Sequence, residues 1–241
     1  MQPPTCYNLS MTIFTPYLII LCALLILLLL QLSPGVFALF LHYASGKYSR
    51  PKTSRLSLFF ILGAEAMTTC VFLTLYFLAN LLFLTNYLVA SQIILYVLAG
   101  ILVALSLFTL IFYYRRGKHS TLFITRKHAS SLENTANSVK TPSDAFVLGA
   151  LSGNPELFLV APLFLVIILE SFHLECMYFA AFITIIISIL PLIITHWRFT
   201  SGQNLANILK SRAKNKLFIR LSLFVLYLLI AIIIFTSGAI K

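Results

Sequence analysis

The chain has 241 residues, of which 60% are hydrophobic and 10% are charged, and its mean hydropathy is +0.99. Soluble domains carry about 25% charged residues. A globule of this size cannot hide so much apolar surface from water, so a soluble enzyme is excluded, and intrinsic disorder with it. Seventeen Lys and Arg against six Asp and Glu give a net charge of +11, which in a polytopic membrane protein marks the cytoplasmic side rather than a nucleic-acid partner.

A bilayer core takes about 20 apolar residues per helix, and six stretches meet that length. Span 1 is expected over about Tyr17 to Tyr43. No basic region precedes it and no small-residue cleavage site follows it, so it reads as a retained helix. It is interrupted by Leu32-Ser33-Pro34-Gly35, where Pro removes a backbone donor and Gly adds freedom. Span 2 covers about Leu56 to Phe83 and holds Glu65 within an apolar run, followed by Thr68 and Thr69. A charged carboxylate costs about 2.5–3.5 kcal/mol at mid-membrane on insertion scales, so Glu65 is read as a proton- or cation-binding group. Span 3 covers about Tyr87 to Tyr114. A polar linker, residues 115–144, then divides the chain into halves of three spans each, 1–114 and 145–241. Span 4, about Ala145 to Ser171, is broken at Ser152-Gly153-Asn154-Pro155-Glu156. Glu156 reads either as a second functional carboxylate or as the cap of the half-helix that follows. Gly149-x-x-x-Gly153 is a close-packing motif. Span 5 runs from about Met177 to Trp197, and span 6 from about Leu217 to Thr236.

The segments after spans 1, 3 and 5, with Arg220 in the first turn of span 6, hold every Lys and Arg except Lys241, and those after spans 2 and 4 hold none. Six spans with both termini outside and three basic segments in the cytoplasm follow from this asymmetry. Three spans per half force the halves into opposite orientation, the condition for an inverted repeat. The expected fold is therefore an all-α polytopic membrane protein with a 3+3 inverted repeat. Both breaks lie about nine residues from the cytoplasmic end of their span, about 13 Å, which is near the midplane. A single Pro reads as a packing kink, but two matched breaks point to a transport site. Ser33, Gly35, Asn154, Glu156, Glu65, Thr68 and Thr69 are the candidate substrate or ion ligands, with Pro34, Gly153 and Pro155 as helix breakers. Cys6, Cys22, Cys70 and Cys176 have no metal-ligand or CxxC spacing. Cys6 and Cys176 are both expected on the outer face, where a disulfide is allowed. No metal site, cofactor or catalytic group is expected.

Ser33-Pro34-Gly35, then Gly46 with a basic loop, then Leu62-Gly63 resembles the first half of LysE/RhtB-type small-solute exporters. Ala145-Phe146-Val147-Leu148-Gly149 leading to Asn154-Pro155 resembles the start of their second half. The likeness covers most of the chain in topology and only these motifs in residues. It implies a six-helix inverted repeat that exports amino acids or other small solutes, usually coupled to protons. Val36 and Phe37 stand where the family has a second Pro and an Asn, and Glu156 where a Lys is usual, so substrate identity does not carry over. The CcdA/DsbD membrane electron carriers share the topology, but their paired helix cysteines are absent at both breaks.

The first functional expectation is a secondary transporter of a small solute or cation, coupled to protons or cations, in a bacterial cytoplasmic membrane. The alternative is a non-catalytic integral subunit or scaffold, docking a membrane complex, a second copy or lipid through its basic loops. The third is a thiol–disulfide carrier. No phosphate-binding loop of the G-x-x-x-x-G-K type occurs, so ATP-driven work is not expected of this chain.

Overall fold

The computed structural model describes residues 6–31, 49–112, 134–136, 138–152, 157–173, 177–202 and 216–239. The described residues are mainly helical, with no strand among them: α1 Cys6–Gln31, α2 Arg50–Phe112, α3 Pro142–Ser152, α4 Leu157–His173, α5 Met177–Thr200 and α6 Lys216–Ala239. Four segments are long and apolar enough to cross a membrane: Pro51–Leu81, Ile93–Ile111, Tyr178–Thr200 and Leu217–Thr236. Two shorter apolar stretches, Phe14–Leu30 and Leu159–Ser171, accompany them.

Spans 5 and 6 appear as expected, as α5 and α6. Spans 2 and 3 do not appear as separate helices. The 63 residues of α2 run through both, because neither Pro nor Gly occurs between Gly63 and Gly100 to end a helix. Yet α2 is not a single rod. Phe72 stacks edge-on against Phe164 of α4, with centroids 5.3 Å apart. Leu159 of α4 accepts a bond from Tyr227 of α6, and Phe224 of α6 accepts one from Ser106. Phe72 and Ser106 would stand about 51 Å apart along a straight helix, whereas these contacts tie both to a few turns of α4 and α6. The arms Pro51–Leu81 and Ile93–Ile111 therefore lie side by side. Span 1 begins earlier than expected, at Cys6, and Pro16 is accommodated inside α1. Its break, Ser33 to Gly35, lies outside the described residues. So do Gly153 to Glu156 between α3 and α4, Cys176, and the side chain of Cys6.

Directions follow from residue pairs. Pro142 lies beside Pro51 and Arg55, Phe146 and Gly149 beside Phe60 and Gly63, and Phe164 beside Phe72. The pair α3–α4 thus runs parallel to the first arm of α2. Ser188 meets Glu65 and His196 meets Ser57, so α5 is antiparallel to that arm. Phe235 lies by Tyr96 and Phe224 by Ser106, so α6 is antiparallel to the second arm.

The crossing of α2 and α3 depends on glycine. A Cβ on Gly63 would run into the Phe146 carbonyl, and one on Gly149 into the Phe60 carbonyl. Only hydrogen at both positions lets the backbones approach this closely. At the start of α3, Asp144 accepts bonds from the backbone N–H of Lys140 (3.1 Å) and Thr141 (2.9 Å), while Thr141 Oγ1 accepts from Asp144 N (3.3 Å). This is a reciprocal cap on exposed orphan donors. The hydroxyl and then the backbone donors of Thr141, with the N–H of Lys140, hold the Asp144 carboxyl below the usual range.

The bundle has an apolar core that also buries several hydroxyls, and its outer surface is apolar as well. Ser57, Ser106, Thr109, Thr184, Ser188 and Thr195 are buried, whereas Phe77, Phe182, Trp197 and Phe235 are exposed. A water-soluble protein does not display apolar surface all round, and lipid is the solvent that matches it. The larger core joins α1, α4 and α6 to both arms of α2. A smaller one, around Phe60 and Leu148, lies where α2, α3 and α5 meet.

Candidate functional site

Glu65 lies at the middle of Pro51–Leu81 and Ser188 close to the middle of Tyr178–Thr200. Across the seam between these antiparallel helices, Ser188 Oγ stands 3.2 Å from Glu65 Oε2 and 3.4 Å from Oε1. Thr69, one turn along α2, reaches Oε1 at 3.4 Å. Thr68 does not join them, because its hydroxyl donates to the Ala64 carbonyl at 3.0 Å. Of the candidate ligands, the structure therefore brings together Glu65 and Thr69 and turns Thr68 back onto its own helix. Ser33, Gly35, Asn154 and Glu156 lie outside the described residues.

Ser188 has one hydroxyl hydrogen and three acceptor oxygens in reach, the two of Glu65 and Ile185 O at 2.8 Å. When Glu65 is ionised, the hydrogen points to the carboxylate, which has no hydrogen to give. When Glu65 is protonated, it donates to Ser188 Oγ, and the Ser188 hydrogen turns to Ile185 O. Both charge states are thus hydrogen-bonded by a single hydroxyl rotation.

From Glu65 to Thr69, every residue is half-buried. Five consecutive residues go more than once round a helix, so no face of α2 is fully packed at this level. Two turns nearer the start of α2, buried Ser57 is 2.8 Å from His196 Nδ1 and donates to Ser54 O at 2.9 Å. The one hydroxyl thus reaches both Ser54 O and Nδ1, and which atom donates across the seam follows the His196 tautomer. His196 thus shares the α2–α5 seam with Glu65.

Two groups escaped the sequence reading. Ser188 belongs to a stripe of Thr184, Ser188 and Thr195 at helical spacing on an otherwise apolar helix, and all three are buried. That periodicity was a usable signal. Glu170, 6% exposed in α4, satisfied the criterion applied to Glu65, an acid inside an apolar run, but stands near the end of its span. Cys22 is buried in α1 and Cys70 is exposed on α2, both as free thiols. Among the described residues, no three His, Cys, Asp or Glu side chains converge on a metal site.

Gly63, one of the residues on which the resemblance to LysE/RhtB-type exporters rests, has a packing role against α3 that accounts for it without reference to transport. No family model matches the chain, nor does any curated protein or solved structure.

Proposed function

We propose that the chain is a six-span secondary transporter of a small solute or cation. In this reading it is driven by protons or cations through Glu65, with both termini outside a bacterial cytoplasmic membrane. The observation that carries the reading is the Glu65–Ser188 contact, an acid held across a helix seam at the centre of two apolar spans. An intramembrane carboxylate is costly and is retained where it binds an ion or relays a proton.

A 3+3 inverted repeat, broken in spans 1 and 4, gives this contact its place. Pro34 and Pro155 are about 121 residues apart. The centre of Pro51–Leu81 is about 123 residues from that of Tyr178–Thr200, and that of Ile93–Ile111 about 124 from that of Leu217–Thr236. A two-fold axis in the membrane plane pairs spans 2 with 5 and 3 with 6, each antiparallel. With an offset near 121, the axis passes between spans 2 and 5 at about residues 66 and 187. Glu65 and Ser188 sit there, where two rocking halves would share a contact. Protonation of Glu65 removes its charge from the seam while keeping the bond to Ser188. A proton thereby permits one arrangement of the halves and its loss another.

The test is flux in proteoliposomes, with and without a pH gradient, screened over amino acids and divalent cations. Glu65→Gln should fold normally and abolish gradient-dependent flux, because the amide exchanges no proton near neutral pH. Wild-type flux in this variant would remove Glu65 from the mechanism.

A further inference from the structure

The seam between the first arm of α2 and α5 keeps one register along its length. Ser188 meets Glu65, and His196 meets Ser57. Eight residues separate Ser57 from Glu65, and eight separate Ser188 from His196. The two contacts are therefore two helical turns apart on both helices, about 12 Å. Midway, four residues from either contact, stand Ile61 on α2 and Leu192 on α5. Residues four apart share a face, so this antiparallel register sets Ile61 and Leu192 opposite one another. Both are 2% exposed, and both belong to the smaller core. From the end that carries Arg55 and Arg198, the seam thus presents a hydrogen bond, then an apolar pair, then the carboxylate. An apolar constriction of this kind excludes water and ions.

The same stretch of α5 has a weak point. Pro191 lies inside the helix beside Leu192. It has no N–H, so the helix lacks the bond that would join residue 191 to the Ile187 carbonyl, and helices bend at such positions. Thr195 turns its hydroxyl back onto Pro191 O at 2.8 Å, a contact that also favours bending. Past Pro191, Ile193, Ile194 and Trp197 are exposed, and Leu192 is the one buried apolar side chain of residues 192–200. Among the described residues, the Ser57–His196 contact is the one hydrogen bond from this stretch to another helix. Segments with so few buried apolar contacts open most readily.

We infer that Ile61 and Leu192, latched by the Ser57–His196 contact, form a gate between Glu65 and the basic end of the bundle, and that bending of α5 at Pro191 opens it. The gate takes its purpose from the transport reading, with Glu65 as the group it guards, but its motion is measured as access rather than flux. The full-length protein, with its four native cysteines replaced, would carry S188C as a reporter behind the gate. Its reaction with a cationic methanethiosulfonate in dodecyl maltoside would be followed by mass spectrometry. H196A removes the latch and leaves the apolar pair, so it should speed labelling by about two- to tenfold, the range of one hydrogen bond. I61A thins the apolar layer and should speed labelling by about tenfold or more. P191A restores the missing backbone bond and should slow labelling by about twofold or more. S106A removes a bond between α2 and α6, away from the gate, and should stay within about twofold of the parent. The gate is overturned if H196A and I61A leave the rate unchanged, if S106A raises it as much, or if the parent already reacts as fast as a cysteine at exposed Tyr178. A P191A protein that opens as readily as the parent would remove the hinge. Should I61A fail to fold, H196A, which leaves the core intact, decides the matter. Rates that behave as expected in a protein without solute flux would uphold the gate and remove the transporter.

Discussion

Thr68 and Thr69 are neighbours in the chain, and only one of them reaches Glu65. Thr69 Oγ1 is 3.4 Å from the carboxylate, while Thr68 Oγ1 is bonded to Ala64 O. The sequence marks both as polar residues one turn from an acid and cannot say which of the two turns its hydroxyl back to the backbone, a choice made by rotamer and neighbours. It also leaves Ser188 unpaired with Glu65, since which helix faces the acid is a matter of tertiary packing. On the proposed transport reading, a difference in flux follows. Thr69→Val keeps the shape and removes a donor to the carboxylate, so gradient-driven flux should fall by about two- to tenfold, the range of an ordinary hydrogen bond. Thr68→Val removes only a bond to its own helix and should leave flux near wild type. Ser188→Ala removes the donor shared with both carboxylate oxygens and should cost more than Thr69→Val. Equal flux in the two threonine variants would mean that the hydroxyl contact at Glu65 has no part in coupling.

The elements themselves were mostly legible, because twenty-residue apolar runs have few alternatives in a membrane. Their ends were less so. The reversal between the arms of α2 lacks the Pro or Gly that marks a turn, so it was located only by the length of the run. The cap at Thr141 and Asp144 follows the familiar pattern of a short polar side chain at the first turn. The close crossing at Gly63 and Gly149 is a case where sequence supplied half the answer: Gly149 was read as a packing residue, but its partner was not identifiable. The helical glycines Gly63 and Gly149 separate cleanly from Gly100. Alanine at Gly63 or Gly149 would collide with backbone that has no rotamer by which to yield, and should destabilise the folded protein by about 1–3 kcal/mol or more. Alanine at Gly100 meets nothing within 4 Å and should stabilise the helix by about 0.8–1 kcal/mol through its better propensity. Thermal or denaturant unfolding in one detergent gives the order. A Gly63→Ala protein as stable as Gly100→Ala would mean that the helices do not cross at these glycines.

At the scale of the whole molecule, charge and packing give two independent routes to the same face. Charge assigns the segments after spans 1, 3 and 5 to one side of the membrane. Packing brings the start of α2, the start of α3 and the end of α5 together, through the cavity between Pro51 and Pro142 and the Ser57–His196 bond. Lys52, Arg55 and Lys140 gather there, and Arg198 lies two residues beyond His196 on α5. Such agreement has a physical origin, since antiparallel helices in a bilayer must bring every second connection to one surface. A labelling experiment examines the arrangement directly. In a background with the four native cysteines replaced, single cysteines at exposed Ser143 and Ser201 should react with an impermeant maleimide only after the membrane is opened. A cysteine at Tyr178, 84% exposed near the opposite end of α5, should react in intact cells. Ser201 and Tyr178 bracket one helix of 24 residues, about 36 Å long, so a spanning α5 must place them on opposite sides. Reaction of both from outside would mean that α5 does not cross. Reaction of Ser143 and Ser201 from opposite sides would break the parallel pairing of α2 and α3 against α5, and with it the seam that holds Glu65.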